Sequence, residues 1–364
     1  MRAGNLVAQL AIRSRRAALS QVTACTRASR LDGSRQIATG WDAIVGIGNG
    51  SSRVGSRLRD AANRRRRRRD FAQYGARCTA VVDCRVKRPE SVSSCTFARV
   101  RVSSLGFRTD LGVLALEGSE IVDRGDHLVV RSPSQPSYFW GNFVLVPSPL
   151  GPGDATRWLA VFSEAFEEAS HVAIGIDAKD GKVGDVAELY AAGLTVEAGT
   201  VLCASSLQRP GRPEATAELR PLVSNEDWAQ VLRLGMQVAL EEGRGFAEDR
   251  HFHEGRVAAA RRLAATGRGA YFGAFLDGRL CSSLGLVLQE DGLARFRSVM
   301  TNPGHRRRGL ASALVYAAGR HGLDDLGASR LVIAADPDGP AIGLYRSLGF
   351  VATEHHVLCE RAPL

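Results

Sequence analysis

The 364-residue chain has no run of apolar side chains approaching the ~18 that a helix needs to cross a bilayer, so no membrane span is expected. Its seven cysteines, Cys25, Cys78, Cys84, Cys95, Cys203, Cys281 and Cys359, include no C-x-x-C pair and are odd in number. Neither zinc-ligand spacing nor a disulfide framework is visible, and the thiols read as small buried side chains in a reducing cytoplasm. His251-Phe252-His253-Glu254 lacks the i, i+4 spacing that sets two ligands on one helix face, so no metal is expected there. A dinucleotide fingerprint is missing too. Val45-Gly46-Ile47-Gly48-Asn49-Gly50-Ser51 puts serine where the third glycine belongs, and no amphipathic helix follows.

Acidic residues are scarce in one place only. Residues 1–104 hold 6 Asp and Glu against 22 Lys and Arg, including six consecutive arginines at 64–69, whereas the rest of the chain holds 32 against 26. The net charge of +10 therefore belongs to an extension, and the body is mildly acidic. An Arg-, Ser- and Gly-rich segment without apolar periodicity buries too little surface to offset its ordering entropy, so residues 1–104 are expected to be disordered. Three readings of it stand side by side. It is a basic arm for RNA or DNA phosphates, a transit peptide over residues 1–31, or the product of a start placed too far upstream. In the last case translation begins near Val100 or Val102 at a non-Met codon, because the only other methionines are Met236 and Met300.

From residue 215 onward the pattern is regular. A strand at 217–222 precedes a helix capped by Asn225-Glu226-Asp227 and carrying Trp228, Val231, Leu232 and Leu234 on one face. A second helix runs over 254–265 and stops at Gly267. Strands at 270–276, 280–289 and 294–301 are joined by Asp277-Gly278 and Asp291-Gly292, two hairpin signals that specify an antiparallel meander. A helix to about 326, a buried strand at 330–335, a short helix at 341–348 and a last strand at 351–359 complete an α+β unit. Residues 105–207 echo its second half, with strands at 141–147, 171–176 and 195–204, helices at 156–169 and 186–192, and Leu189-Tyr190 against Leu344-Tyr345. An internal duplication accounts for this. The chain is accordingly divided into an extension (1–104), a degenerate first copy (105–207), a linker (208–214) and a complete second copy (215–364).

The chemistry concentrates after the third meander strand, in Val299-Met300-Thr301-Asn302-Pro303-Gly304 and then His305-Arg306-Arg307-Arg308-Gly309-Leu310-Ala311. A strand, a turn with basic and small residues, and a helix start hold a phosphate on unpaired backbone amides. In the first copy the turn is Pro149-Leu150-Gly151-Pro152-Gly153-Asp154, with no arginine and with a carboxylate where donors are needed. Only one coenzyme site per chain is expected.

Residues 215–364 resemble the GCN5-related N-acetyltransferase (GNAT) superfamily. Arg306-Arg307-Arg308-Gly309-Leu310-Ala311 is similar to its Gln/Arg-x-x-Gly-x-Gly/Ala coenzyme motif, and Ala341-Ile342-Gly343-Leu344-Tyr345 followed by Gly349-Phe350 to its second motif. Asp338 stands where the family commonly has Asn. The tandem arrangement looks like acetyltransferases with a degenerate N-terminal copy. The resemblance implies a mixed, mostly antiparallel sheet splayed between its fourth and fifth strands, and acetyl-CoA as cosubstrate with no metal. The pantetheine arm would lie on the backbone of Val299, Met300 and Thr301, the pyrophosphate on the amides from Arg306 to Ala311 beside Asp338, and Tyr345 would protonate the leaving thiolate. A primary amine of a small molecule or peptide attacks directly, in the cytoplasm and with no membrane partner. Nucleic acid is a partner only if the basic extension is real. The oligomeric state and general base stay open, though Glu241, Glu242, Glu248 and Asp249 flank the expected acceptor side. Two rivals remain: a non-catalytic acyl-CoA-binding module, and a nucleic-acid-associated protein held by its basic arm.

Overall fold

The computed structural model describes residues 100–212, 216–241 and 246–362. The arginine run at 64–69, the glycine-rich stretch at 45–51, Cys25, Cys78, Cys84, Cys95, Glu242 and the side chains of Glu248 and Asp249 lie outside the described residues, and with them the three readings of residues 1–99.

The chain begins with α1 (Leu105–Glu117), β1 (Glu120–Asp123), β2 (Leu128–Arg131) and β3 (Phe143–Val146), then α2 (Asp154–Ala165), β4 (Val172–Ile176), α3 (Ala187–Ala191) and β5 (Thr195–Ala204). It continues with β6 (Glu218–Pro221), α4 (Asn225–Glu241), α5 (Phe246–Ala265), β7 (Gly269–Leu276), β8 (Arg279–Leu288) and β9 (Leu293–Thr301). Then come α6 (Leu310–Asp324), β10 (Arg330–Ala335), α7 (Pro340–Ser347) and β11 (Val351–Arg361). Order begins before residue 105: Val100 is buried, and its N–H donates to Asp123 at 3.1 Å. Ser104 caps α1, accepting from the Phe107 N–H, while the Asp177 carboxylate takes the Ser104 N–H at 3.0 Å.

Local chemistry explains most boundaries. Asp277 (φ 49°) and Gly278 (φ 77°) both sit in the left-handed region, as a two-residue hairpin turn requires, and they join β7 to β8. The cap of α4 is Ser224, one residue before the expected cluster. Its hydroxyl accepts the Asp227 N–H at 3.0 Å, and Asp227 accepts the Ser224 N–H in return. Two hydrogen bonds from Arg220 hold the buried Asp227 carboxyl far below the usual carboxylate range. The second helix starts at Phe246, eight residues earlier than expected, because its first turns are too polar for apolar periodicity to reveal them.

The strands form one eleven-stranded mixed sheet in the order β1-β2-β3-β4-β11-β5-β10-β9-β8-β7-β6. The meander from β6 to β9 is antiparallel, and β10 joins β9 in parallel only over Arg330–Val332 against Leu293–Arg295. Beyond Arg295 the two strands part. The centre of the sheet is unexpected. β5 lies between β10 and β11, pairing Leu331 with Ala204 and Val351 with Cys203, while β11 lies between β5 and β4, pairing Val357 with Ile176. The last strand of each half is thus inserted into the sheet of the other.

One face of the second half carries α6, packed through Leu314 and Ala318 on Phe296, Leu331 and Phe350. The other carries α4 and α5, with Trp228, Leu234 and Val238 on Phe275. α1 shares that second face: Leu105 meets Val332 and Leu293, and Val113 meets Leu263 of α5. On β11 this placement separates two adjacent histidines, His355 exposed and His356 buried. His356 is 5% exposed, its ring edge-to-face to Phe107 of α1 with the ring centroids 4.2 Å apart. No helix among the described residues is long and apolar enough to cross a membrane.

Glu360 on β11 is buried and accepts the Trp140 indole N–H at 2.7 Å. Burial, with Glu197 nearby, pushes its carboxyl up to about 7 from an ordinary 4.5. Its pKa is raised in the folded state, so the associated stability is present below pH 4.5 and is lost as pH rises through 7. Glu360→Gln is therefore expected to flatten the fall in Tm between pH 5 and pH 8. An identical fall in wild type and variant would remove Glu360 as its source.

Candidate active site

The opened strand ends at the expected turn. Pro303–His305 forms a short 3-10 turn, closed by the Asn302 side chain accepting from the Gly304 N–H at 3.0 Å. Arg307 (φ 63°) and Gly309 (φ 79°) both adopt the left-handed conformation, and α6 begins at Leu310 with no side-chain cap. The first helical bond here is from the Ala313 N–H to the Gly309 carbonyl, so the amides of Leu310, Ala311 and Ser312 precede it and face out of the helix end. A non-glycine residue held in the left-handed region costs about 1 kcal/mol and recurs at ligand clamps.

A β-bulge lies within the split. Arg297 opposes Gly285 and Met300 opposes Ser283, which leaves Ser298 (φ 49°) and Val299 opposite a single residue of β8. The bulge resets strand alternation. Arg295 and Arg297 project to the α1 and α5 face, whereas Val299 packs with Leu310 and Tyr345 on the α6 side and Met300 with the α4–α5 cluster. The Asn302 N–H donates to Cys281 of β8, so the peptide groups of Thr301 and Val299 face away from β8 and into the split. Those are the strand positions expected to pair with an extended ligand.

The arginines do not act alike. Arg306 is turned away from the helix end: its side chain is 5% exposed and forms a two-pronged ion pair with Glu241 at the end of α4, Nη1 to Oε1 at 2.8 Å. The pair ties the turn to the end of α4 and leaves the Glu241 side chain 41% exposed. Sequence spacing gave no sign of the pairing. Arg307 is exposed, and Arg308, also exposed, lines a cavity of about 410 Å³ with His305, Arg279, Cys281, Asp277 and Leu276. Asp338 is exposed after β10, its N–H donating to Asp336 at 2.9 Å.

Tyr345 is 1% exposed, with its ring edge-to-face to Phe350. The Leu-Tyr echo with the first half is out of register. Phe350 N–H bonds the Tyr345 carbonyl just as Leu194 N–H bonds that of Leu189, and Gly349 pairs with Arg346 as Gly193 does with Tyr190. The counterpart of Tyr345 is thus the buried Leu189, while Tyr190, 56% exposed, matches Arg346. The tyrosine belongs to the second half alone.

The turn before α2 shows what a filled helix start looks like. Gly153 (φ 80°) repeats the backbone of Gly309, yet Asp154 folds back to accept the Gly151 N–H at 2.7 Å, and Glu188 takes both the Thr156 N–H and its hydroxyl. Carboxylates of the protein itself occupy the place an anion would take. His253 rests against Gly235 of α4 and His251 is exposed, so the two diverge. The described residues contain no group of three or more His, Cys, Asp and Glu arranged to hold a metal ion.

Residues 237–350 match the family model described as the acetyltransferase (GNAT) family. No curated protein sequence matches the chain. Among solved structures, a conserved protein of unknown function from Staphylococcus epidermidis aligns with a TM-score of 0.53 and 11% identity over 68% of this chain and 95% of its own. A GCN5-related N-acetyltransferase from Kribbella flavida aligns at 0.48 and 16% identity over 71% and 95%. A tandem GNAT protein from the clavulanic acid biosynthesis pathway aligns at 0.40 and 18% identity over 70% and 94%. The first alignment is too long to be confined to residues 215–364, so the shared fold includes part of the first half.

Proposed function

We propose that this chain, whose residues 237–350 form an acetyltransferase domain of the GNAT family, transfers an acetyl group from acetyl-CoA to a primary amine of a small molecule or peptide by direct attack. One observation carries the reading: β9 and β10 part beyond Arg295, and the opened strand runs into a helix start whose amides have no side-chain cap. The uncapped amides of α6 suit a pyrophosphate, and the exposed Arg307 and Arg308 add positive charge around it. The peptide groups of Val299 and Thr301 suit the amides of a pantetheine arm, which adds to the sheet as a strand does. Developing negative charge on the thioester oxygen is met by a backbone N–H at the Ser298–Val299 bulge. Tyr345 donates a proton to the departing thiolate. The first half acts as a degenerate copy, its own helix start closed by Asp154 and Glu188. The reduced, buried Cys203, Cys281 and Cys359 suit a cytoplasmic setting.

The test is thiol release from acetyl-CoA with a panel of amines, alongside the Gly309→Val variant. A β-branched residue at φ 79° is strained and brings methyl groups against the anion, so coenzyme affinity is expected to fall by at least about 50-fold. Coenzyme binding without thiol release for any amine would leave only a binding module. Unchanged affinity in Gly309→Val would move the coenzyme elsewhere.

A further inference from the structure

The strand order reads alike from both ends of the sheet. From β1, two antiparallel pairings and one parallel lead to β4, and β11 follows antiparallel; from β7 the same succession leads to β10 and then to β5. With β5 and β11 antiparallel at the centre, the strand pattern has twofold symmetry about that pair. Matching connections of the two halves can therefore be compared. Residues 289–292 join β8 to β9 as a short hairpin, and residues 132–142 stand in the same place between β2 and β3. Each connection reaches across to a helix of the other half. Gln289 of the hairpin fills the space left by Gly112 of α1, where a Cβ would meet its side-chain oxygen at 1.9 Å, and Gln135 of the loop lies against Gly255 of α5. Only the loop continues past that contact.

Hydrogen bonds within the loop fix its shape. The buried Asn142 side chain accepts the Ser132 N–H at 2.9 Å and donates to the carbonyls of Gln135 at 2.8 Å and Tyr138 at 2.9 Å. The Ser132 hydroxyl donates to the Gly141 carbonyl at 2.8 Å, which closes the base. Tyr138 is held at the tip, half-buried. Its ring packs on the half-buried Phe252 of α5 with centroids 5.8 Å apart, the Arg256 guanidinium lies 4.5 Å over it, and its hydroxyl accepts from Arg297 Nη2 at 3.2 Å. Arg297 directly precedes the bulge at Ser298 and Val299, and Arg295 before it is the last residue of β9 paired to β10. The Tyr138 ring thus stands on the sheet face opposite α6, beside the fork of the split. With the coenzyme held by the helix start and Tyr345, both on the α6 side, the amine reaches the thioester from the face where Tyr138 and Phe252 stand. Two half-buried aromatic rings offer apolar surface to a substrate's carbon skeleton.

We propose that residues 132–142 of the first half form the acceptor-side wall of the transferase site, and that Tyr138 sets the size of the amine by packing against its carbon skeleton. This rests on the acetyl-transfer reading and narrows its acceptors to primary amines whose apolar part fits beside the Tyr138 ring. The ring cannot swing aside without giving up Arg297, Arg256 and Phe252 together, so the limit it sets is a firm one. It gives the first half a task that its closed helix start does not.

The full chain is assayed with acetyl-CoA and a series of primary amines running from propylamine through hexylamine to phenethylamine, as wild type, Tyr138→Ala and Tyr138→Trp. The ratio of kcat/KM for bulky over small amines is expected to rise about tenfold in Tyr138→Ala and to fall by about as much in Tyr138→Trp, with coenzyme affinity unchanged. A tyrosine that only packs would scale every amine by one factor. A ratio unmoved in both variants, or moved in the opposite sense, overturns the proposal. Loss of coenzyme binding in Tyr138→Ala marks a misfolded variant, and Tyr138→Trp then decides alone. If wild type binds coenzyme and turns over no amine, the transferase reading fails. Calorimetry of the same amines against the CoA-loaded wild type and both variants then decides the wall separately. A size preference shifted by the substitutions keeps it, and absence of binding or equal affinities removes it.

Discussion

Expressed alone, residues 215–364 are expected to give no cooperative thermal transition and to aggregate, whereas a chain retaining residues 100–364 melts in a single step. The reason lies in the centre of the sheet. β10 is paired on one side to β9 over only three residues and on the other to β5 from Leu331 to Ala335. β11 has β5 and β4 as its two neighbours, both from the first half. Truncation leaves the backbone donors and acceptors of three strand edges unpaired, and such edges recruit other chains. It also strips Leu202 and Ala204 from the core beneath α6, and α1 from Arg295 and His356. Circular dichroism melting and size exclusion of the two lengths decide the matter. A sharp transition and wild-type coenzyme affinity for residues 215–364 would mean that β11 can re-pair with β10, and that the insertion of β5 is dispensable.

Tyr345→Phe is expected to lower kcat by about a hundredfold or more, the lower range for losing a positioned proton donor, while coenzyme affinity and Tm stay close to wild type. The ring is packed against Phe350 and phenylalanine fills the same volume, so the change removes chemistry and leaves the apolar packing. A packing role predicts the reverse pattern, with kcat kept. Steady-state kinetics at saturating acetyl-CoA separates the two, and a kcat within threefold of wild type would sink the assignment. The register of the two halves favours the chemical role. Leu189 fills the position of Tyr345 in the half whose helix start is closed, so the fold does not need a tyrosine there.

Much of this was legible in the chain itself, wherever the cause is local. Asp277-Gly278 dictates a tight hairpin because both residues accept a positive φ, and Gly309 allows the left-handed step that starts α6. Apolar runs at 330–335 and 195–204 fix two central strands, found at Arg330–Ala335 and Thr195–Ala204. The turn before α6, the second motif and the split belong to the same class, since each depends on residues close in sequence. The sequence is silent where a side chain's fate depends on a distant element. Arg306 is drawn to Glu241, 65 residues earlier, and His356 is covered by α1. The buried arginines of β9 meet Asp110 and Tyr138, both more than 150 residues away in sequence. The sequence by itself determined which residues turn, cap and alternate, and so the uncapped turn before α6 and the family likeness. Only the tertiary structure decided that the halves exchange their last strands and that α1 covers the sheet face opposite α6, because strand pairing and charge burial between distant segments leave no mark in local periodicity.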